Sequence, residues 1–395
     1  MRVVCATNIP LAREAFGTLG AVQIVEGRAM TASDVRDADL LVVRSTTPVN
    51  RGLLEGSSVR FVGTTTIGTD HMDVAYLEAR GIRWCAAPGS NANSVSEYWV
   101  AALLCLGQRH GFTLAGRTVG VVGVGNVGSR VAAKAEALGM QVLRNDPPLQ
   151  RTSGSSAFVP LDRVLAEADV LTLHVPLTRA GPDPTVHMAD RRFFERLKHG
   201  ALLVNAARGA VVATDALLEA LQRRRISHAV LDTWEGEPAY RRDALARVDL
   251  GTPHIAGHSY DGKVNGTALV YREACRCLGV TPSWSPEGRL PAPLVPRVEV
   301  DAAGRAEEAV LWEIVRPVYD IEADDRQFRA TAVADDGARA RLFDQLRQDY
   351  PDRREFPWTE VVLRNGTERL AAQVRGLGFR VAGQARTALG TAGVR

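Results

Sequence analysis

The sequence predicts an α/β protein with a Rossmann-type doubly wound nucleotide domain, a flavodoxin-like substrate domain and a small α+β C-terminal domain. Three observations predict this class. Over the first 280 residues, short β-branched runs alternate with helical patterns, as in β-α units on parallel sheets. A glycine-rich turn at 123–128 joins one of these strands to a helix. A proline-rich stretch at 281–296 then separates this part from a region of different composition.

The first series of β-α units occupies residues 1–96. Its strand-like runs are RVVCA, VQIV, LLVVR, VRFVG and IRWC, with helical patterns such as LAREAFGTLG and DVAYLEARG between them. Ser94 and Glu97 have the spacing of a capping box, which predicts that a long apolar helix begins here and leads into the next domain. Residues 255–280, with a helical pattern over 262–279, are expected to return to this first domain.

A second series, in residues 97–254, has the same alternation. Its predicted strands are TVGVVG, MQVLRND, ADVLTLHVP, ALLVNAARG, HAVLD and VDLGTPH, and helices are predicted over 126–138 and ATDALLEALQRRR. Each strand ends in residues suited to turns or to chemistry. Open parallel sheets bind their ligands at these carboxyl ends, so the site is expected there.

The remaining chain begins with a linker. Five prolines in the sixteen residues of 281–296 favour an extended segment. Residues 297–395 then carry strand and helix patterns (RVEV, EEAVLWEIV, ARLFDQLRQ, TEVVL, TERLAAQVRG, FRV) without a second glycine motif, which predicts a small α+β domain. The last stretch, TALGTAGVR, is expected to be a frayed tail.

Composition excludes several classes of protein. The 395 residues are 46% hydrophobic and 24% charged with a formal net charge of +3, and they contain no dense basic block interleaved with aromatics, so nucleic acid is not an expected partner. No apolar run has membrane-spanning length, and the N-terminal run is too short for a signal peptide. Five cysteines without C-x-x-C spacing indicate reduced thiols. A cytoplasmic location and no metal site are expected.

The glycine motif predicts the cofactor. Gly123, Gly125 and Gly128 form a G-x-G-x-x-G between an apolar strand and a helix, where a pyrophosphate binds the helix N-terminus. Eighteen residues after Gly128, the next strand ends in Asp146, a carboxylate placed to accept hydrogen bonds from a ribose diol. Arg144 is the nearby base, but it precedes the aspartate. NAD is therefore predicted rather than NADP.

Hydride transfer at an alcohol carbon needs a base, a cation for the substrate and a group that sets the charge of the base. Arg208 ends the strand ALLVNAARG and can bind a carboxylate through two parallel N–H bonds. His254 follows another strand and titrates near neutral pH. Glu237 is a candidate to orient that imidazole and raise its pKa. Each residue alone is ordinary, but the order Arg, Glu, His after a dinucleotide motif predicts a catalytic set.

A metal site is the competing interpretation of the local histidines. His254 and His258 are four residues apart, the spacing of two ligands on one helical face. Pro253 and Gly257 interrupt any helix there, and no glutamate follows His254 in an H-E-x-x-H pattern. The pair is therefore not predicted to bind a metal.

With these motifs the sequence resembles the D-2-hydroxyacid dehydrogenase family, whose active sites use Arg, Glu and His in this order. The segments that carry the resemblance are GVVGVGNVG, NAARG, LDTWEGEP and TPHIAG, and VVRSTTPVN, FVGTTTIGTDHMD, APGSNANSVSEY and HIAGHSYDGK extend it over nearly the whole chain. RPVYDIEADD, FDQLRQDYPDRREF and LGFRV resemble the C-terminal dimerisation domain of one subfamily. The resemblance thus implies a homodimer formed through 297–395.

The resemblance also implies the roles of further residues. Arg208, Glu237 and His254 would be catalytic. The cofactor would contact Gly123, Gly125, Asn126, Val127, Gly128, Asp146, Val175, Ala206, Ala207, Arg208, Asp232 and Gly257. The substrate would contact Ser45, Thr66 and His258.

Two of these positions depart from the resembled subfamily. His258 stands where that subfamily has a substrate-contacting tyrosine, and Tyr260 is the nearest hydroxyl that can substitute for it. Val175 replaces a cofactor-contacting threonine, with the loss of one hydrogen bond. Arg44, adjacent to Ser45, is a candidate for binding a substrate phosphate.

The implied reaction is NAD-dependent oxidation of 4-phospho-D-erythronate to 2-oxo-3-hydroxy-4-phosphobutanoate on the route to pyridoxal 5′-phosphate. One alternative is a dehydrogenase for another phosphorylated or phosphonate D-2-hydroxy acid, which the change at His258 permits. A more distant alternative is a non-catalytic NAD-binding regulator. The presence of all three catalytic residues favours an enzyme over the regulator.

Overall fold

The computed structural model describes residues 1–333 and 335–382; the predicted frayed tail lies outside them. Five parallel strands form the first sheet: β1 (Arg2–Ala6), β2 (Ala21–Val25), β3 (Leu40–Val43), β4 (Phe61–Thr64) and β5 (Arg83–Cys85). Their order across the sheet is β2-β1-β3-β4-β5, which is the flavodoxin-like order. The helices between them are α1 (Ala12–Phe16), α2 (Ala32–Val35), α3 (Arg51–Leu54) and α4 (Val74–Ala79).

The long helix α5 (Ala92–His110) leads to the second sheet, as the apolar run predicts. Its start differs from the prediction, because the helix begins at Ala92 and the proposed capping box is wrong. Ser94 and Glu97 lie inside the helix with fully buried side chains. Both bind Arg353, from a part of the chain more than 250 residues away, so local spacing misassigned them.

Six parallel strands form the second sheet: β6 (Thr118–Val122), β7 (Gln141–Asn145), β8 (Val170–Leu173), β9 (Ala201–Asn205), β10 (Ile226–Leu231) and β11 (Leu250–Gly251). Their order is β11-β10-β9-β8-β6-β7, and a single parallel bridge from Arg144 to Phe158 takes the place of one more strand beside β7. With that bridge included, the order is the doubly wound order of a Rossmann fold. The helices are α6 (Asn126–Ala137), α7 (Pro147–Ser153), α8 (Leu161–Glu167), α9 (Arg191–Arg196), α10 (Thr214–Gln222) and α11 (Arg242–Arg247).

Helix α12 (Tyr260–Leu278) returns to the first sheet, where Val270 and Tyr271 share a core with Phe16 and Phe61. The C-terminal part has a third parallel sheet in the order β12-β13-β14, formed by β12 (Arg297–Asp301), β13 (Glu360–Arg364) and β14 (Arg380–Val381). Its helices are α13 (Glu307–Val315), α14 (Ile321–Ala330), α15 (Asp336–Gln348) and α16 (Glu368–Leu377). No helix in the described part of the chain is both long and apolar enough to cross a bilayer.

Among the described residues, the buried core of the C-terminal part is continuous with that of the second sheet and α5. Val310 and Leu311 of α13 belong to the same buried cluster as Leu103 and Leu106 of α5. This cluster therefore continues from the C-terminal part of the chain into α5. The division of the chain into domains stays a prediction, with bounds at 1–96 plus 255–280, 97–254, 281–296 and 297–395.

A buried charged network adds to this contact. Arg353 pairs with Glu97 of α5 at 2.8 Å, and Arg354 pairs with Asp261 of α12 at 3.0 Å. Glu355 accepts a hydrogen bond from Ser259, the residue that caps α12. The two helices that connect the first and second sheets are therefore both bound to one short segment of the C-terminal part.

Candidate active site

The glycine loop after β6 is shaped by close backbone contacts. Gly123 has φ of 84°, and a Cβ there would lie 2.8 Å from the carbonyl of His174. A Cβ on Gly128 would lie 2.0 Å from the carbonyl oxygen of Gly123. At Gly125, by contrast, no described atom lies within 4 Å of the Cβ position. The first and third glycines thus serve packing, while the second leaves open space for a phosphate.

Asp146 lies beside this loop. One of its carboxylate oxygens accepts the backbone N–H of Val124 at 2.8 Å, and the other accepts that of Leu149 at 2.9 Å, capping α7. The carboxylate is therefore fixed next to the glycine loop, where a ribose diol would reach it. This arrangement fits NAD, which would bind Gly125 and the first turn of α6 through its phosphates and Asp146 through its ribose.

Arg208 follows β9 and reaches across the cleft between the two sheets. Its own carbonyl accepts a hydrogen bond from Asn205 at 3.0 Å, which fixes the backbone. Its guanidinium donates to the carbonyl of Ala207 at 2.8 Å and contacts Asp70 at 3.4 Å. A Cβ on Gly68 would lie 2.3 Å from Nη2, so that glycine makes room for the arginine. The side chain is 29% exposed and accessible to a substrate.

His254 and Glu237 form the predicted pair. Nδ1 of His254 lies 2.5 Å from Oε1 of Glu237, while Oε2 accepts the backbone N–H of Trp234 at 3.0 Å. Burial alone would raise the pKa of Glu237, but the charge of His254 and its hydrogen bond outweigh burial and lower it. The carboxylate is thus ionised and holds Nδ1, which leaves Nε2 for the substrate.

Asp232 fixes the loop that carries His254. It is buried, and its carboxylate accepts hydrogen bonds from the Thr252 hydroxyl and from the N–H groups of Ile255 and Ala256, at 2.7, 2.8 and 3.0 Å. Its carbonyl accepts the N–H of His254 at 2.7 Å. These partners make Asp232 a positioning residue, and its contact with the nicotinamide stays a prediction.

Several further predicted residues lie at the carboxyl ends of strands, on both sides of the same cleft. Thr66 follows β4, and its hydroxyl is paired with that of Thr64 at 2.7 Å and donates to the carbonyl of Gly68. Gly257 is explained by packing, because a Cβ there would lie 2.0 Å from Nδ2 of Asn91. Six more predicted residues follow β3, β6, β8 and β9. Their side chains are half-buried or exposed, apart from Ala207, which is buried. These residues are Ser45, Asn126, Val127, Val175, Ala206 and Ala207.

A pocket of about 290 Å³ is lined by His258, four residues after His254, and by Arg347, whose charge acts on Glu237. His254 and Glu237 themselves are not among its lining residues. It lies between the loops after β1, β2 and β3, the start of α12 and the end of α15. Ser45, His258 and Tyr260 line it, so two predicted substrate contacts and the proposed substitute hydroxyl face one cavity. Its charged residues are Glu26, Arg28, Arg44, Lys263, Asp344, Arg347 and Asp352.

Three of the cations repel one another. Burial, followed by the charge of Arg347, lowers the pKa of Arg44 to about 10. Burial and then the charge of Arg44 lower the pKa of Lys263. Arg44 donates to the carbonyl of Asn8 at 3.0 Å and has no ion pair within the described residues. An anion in the pocket would relieve this repulsion.

His258 stays neutral in this environment. Burial, then Arg347 and Arg44, lower its pKa well below the usual value. Its Nδ1 is buried and has no partner among the described residues, and its ring meets that of Tyr350 edge-on at 5.8 Å. A neutral imidazole with a free nitrogen can exchange a hydrogen bond with a substrate hydroxyl.

Two of the three cations that repel one another in this pocket were not predicted from the sequence. Lys263 lies one turn into α12 and Arg347 lies near the end of α15, in the part of the chain predicted to serve dimerisation. Arg347 also acts electrostatically on Glu237. The only signal for Lys263 was its place in HIAGHSYDGK; for Arg347 the sequence contained none.

Comparison with known proteins identifies the family. Residues 91–256 match the D-isomer specific 2-hydroxyacid dehydrogenase, NAD binding domain, and residues 290–378 match a domain of unknown function, DUF3410. A protein of Salinibacter ruber named erythronate-4-phosphate dehydrogenase is 48% identical over 362 residues, which cover 90% of this chain and 92% of that protein. The chain belongs to the erythronate-4-phosphate dehydrogenase family. A family member from Ectopseudomonas mendocina is 46% identical, with 96% of this chain and 99% of that protein covered.

Solved structures have the same fold. The TT0316 protein of Thermus thermophilus matches with a TM-score of 0.61 and 26% identity, covering 72% of this chain and 99% of that chain. The D-lactate dehydrogenase of Aquifex aeolicus, solved with NAD and lactic acid, gives a TM-score of 0.57 and 27% identity over 70% of this chain and 96% of that one. The predicted fold class, dehydrogenase activity and NAD cofactor are confirmed. More than a quarter of this chain has no counterpart in either structure.

Replacing Glu237 with glutamine tests the role of its charge. We expect kcat to fall by about tenfold or more, because the imidazolium that forms during proton transfer loses its carboxylate partner. The matched control is Glu235→Gln, which alters a glutamate paired with His187 outside the cleft. An unchanged kcat in Glu237→Gln would contradict the assignment.

Proposed function

We propose that this chain oxidises 4-phospho-D-erythronate to 2-oxo-3-hydroxy-4-phosphobutanoate with NAD, on the route to pyridoxal 5′-phosphate. The observation that carries the proposal is the pocket that Arg44, Lys263 and Arg347 line together with His258, four residues after the proposed base His254. A phosphorylated 2-hydroxy acid needs one cation for its carboxylate and a separate basic site for its phosphate, and Arg208 and the pocket supply the two. The names of the curated relatives support the same substrate.

In the proposed mechanism each residue has one task. Arg208 binds the carboxylate and polarises the adjacent C2 oxygen. Nε2 of His254 removes the proton of the C2 hydroxyl, and Glu237 stabilises the resulting imidazolium through Nδ1. Asp232 holds the His254 loop in place. Gly125, the first turn of α6 and Asp146 would hold NAD, which would supply the acceptor for the hydride from C2.

The phosphate would bind Arg44, Lys263 and Arg347. Arg44 lacks a carboxylate partner within the described residues. Lys263 and Arg347 contact Asp352 and Asp344 only at 3.8 and 3.7 Å. Arg28, in the same pocket, is different because Asp344 binds it at 2.7 Å. The first three cations are therefore available to a dianion, and Arg28 is not.

Replacing Arg44 with methionine tests this subsite. We expect the KM for 4-phospho-D-erythronate to rise about tenfold to hundredfold, the usual cost of one lost hydrogen bond to a charged group. Turnover of D-erythronate, which lacks the phosphate, should not change. Arg28→Met is the matched control and should keep a near-normal KM. If the substitution impaired the oxidation of both substrates equally, Arg44 would support the fold and would not bind the phosphate.

The assignment of the substrate is tested by an NADH-linked assay of 4-phospho-D-erythronate beside 3-phosphoglycerate, D-lactate and D-glycerate. A clear preference for 4-phospho-D-erythronate is the expected result. Activity on a different acid alone would favour the alternative, a dehydrogenase for another phosphorylated or phosphonate acid, which His258 in place of tyrosine permits. NAD binding without turnover of any acid would favour the regulator.

We also propose a cytoplasmic homodimer. All five cysteines are free thiols, which suits a reducing compartment. The C-terminal segments that resemble a dimerisation domain support assembly through residues 297–395. Sedimentation of the full chain as a dimer is expected, and a monomer at micromolar concentration would contradict this part of the proposal.

A further inference from the structure

Three possible metal ligands converge far from the catalytic cleft. His110 is the last residue of α5, His228 lies near the start of β10, and Asp249 directly precedes β11. The catalytic loops follow the carboxyl ends of β10 and β11. This cluster lies at the opposite, amino ends of the same strands, so the proposed dehydrogenase reaction does not use it.

The distances in the cluster suit a metal ion. Nε2 of His110 lies 3.1 Å from Oδ1 of Asp249, and Nδ1 of His228 lies 2.9 Å from the same oxygen. All three ligand atoms lie within 4.8 Å of one another. Ligands at tetrahedral positions around zinc, with bonds of about 2.0–2.2 Å, are separated by roughly 3.3–3.5 Å. Small side-chain movements would bring the three atoms to that spacing.

The two imidazole rings of the cluster lie side by side. Their centroids are 4.0 Å apart and the rings are tilted by 33°. Both rings have a nitrogen close to the same carboxylate oxygen of Asp249. The cluster therefore offers two imidazole nitrogens and one carboxylate oxygen to a single ion.

The surroundings hold the ligands in place. Oδ2 of Asp249 accepts the N–H of Ala229 at 3.0 Å, which orients the carboxylate as a supporting hydrogen bond does in known metal sites. Arg109 donates to the Asp249 carbonyl at 3.0 Å, and its charge is offset by Glu322 at 3.2 Å. The side chain of His110 is 31% exposed, so an ion has a path from solvent and room for a bound water.

We propose that His110, His228 and Asp249 bind one divalent transition-metal ion of the zinc class. Two imidazoles and one carboxylate favour Zn²⁺, Co²⁺ or Ni²⁺ over Mg²⁺ and Ca²⁺, which prefer oxygen ligands. A water molecule would complete the coordination. The ion would join the end of α5 to the edge of the second sheet. Its effect is therefore on stability and not on hydride transfer.

The competing account is a purely hydrogen-bonded cluster, in which both rings donate to Asp249. Each neutral imidazole has one N–H and one lone pair, so the N–H can face the carboxylate without metal, and the other tautomer can turn the lone pair toward an ion. Only a measurement of binding separates the two accounts.

The test is titration of the full chain with ZnCl₂ after treatment with chelator, followed by calorimetry. We expect one ion per chain and a higher Tm with Zn²⁺, because an ion that binds the folded state stabilises it. His110→Gln should weaken the affinity more than about tenfold, since loss of even a supporting residue commonly costs that much. His199→Gln, at an exposed histidine elsewhere, is the matched control and should bind as the parent protein does.

Two further measurements keep the result interpretable. Co²⁺ should give visible d–d absorption in the parent protein and lose it in His110→Gln. Circular dichroism and NADH-linked activity show whether His110→Gln folds. If it does not fold, His228→Gln is used in its place. Absence of Zn²⁺ binding in the parent, or equal binding in parent and both variants, would overturn the proposal. Neither result bears on the proposed substrate.

Discussion

Replacement of His254 with asparagine is expected to lower kcat by about 100-fold to 10,000-fold, the usual contribution of a general base. The amide group can still hydrogen-bond Glu237, so the loop should keep its geometry, but no nitrogen is left to accept the hydroxyl proton. The backbone N–H of residue 254 still donates to the carbonyl of Asp232. The affinity for NAD should therefore remain close to that of the parent protein.

Steady-state kinetics with 4-phospho-D-erythronate and a separate NAD titration measure the two effects. His199→Asn, an exposed histidine outside the cleft, is the control for the general effect of this substitution. Retention of most of the turnover in His254→Asn would remove this residue from the mechanism. A parallel loss of NAD affinity would indicate a disturbed fold instead.

Replacement of Arg353 with methionine is expected to lower the free energy of unfolding by about 3–5 kcal/mol, the cost of breaking a buried ion pair from one side. Glu97 is fully buried, and burial raises its pKa to about 7 even though the charge of Arg353 opposes this rise. Without Arg353, the carboxyl group either stays ionised without its partner or takes up a proton, and both outcomes cost stability. The guanidinium also donates to Ser94 and lies over the ring of Tyr319 at 4.1 Å. Methionine can fill the space of the aliphatic part of the Arg353 side chain, but it makes none of these polar contacts.

Denaturant-induced unfolding measures this loss. Arg163→Met is the matched control because Arg163 pairs with Glu167 on an exposed helical surface, where such pairs contribute about 0.5 kcal/mol or less. The double variant Arg353→Met, Glu97→Leu should recover part of the loss, since it removes the buried carboxyl group that has lost its partner. A loss below about 1 kcal/mol in Arg353→Met would contradict the prediction and show that Arg353 contributes little to the stability of the fold.

The fold was largely predictable because its signals are local. The strands RVVCA and TVGVV are short apolar runs beside turn residues, and both became central strands of parallel sheets. The glycine motif likewise depends on neighbours in the chain. The short helices α3, α8, α9 and α11 were not predicted, since four to seven residues give too little periodicity.

The site was predictable only where its residues follow strands. The parallel sheet brings strand ends together, and His254 pairs with Glu237 as the pattern implies. Arg208 follows the neighbouring strand β9, and its place in the same catalytic set stays a prediction. Arg347 comes from a helix 93 residues after His254, and nothing in the sequence around it indicates which cavity it faces. Ser94 and Glu97 were misassigned for the same reason, because their partner Arg353 is distant in sequence.

The binding of residues 353–355 to both α5 and α12 restricts how the cleft can close. These two helices connect the first and second sheets, and each is anchored near its N-terminus by a buried ion pair to the same short segment. Any rotation of one sheet against the other must bend the helices beyond these anchors or move the segment with them. A gene shortened before residue 353 would therefore not yield a working two-lobed enzyme, because Glu97 and Asp261 would lose the arginines that neutralise them.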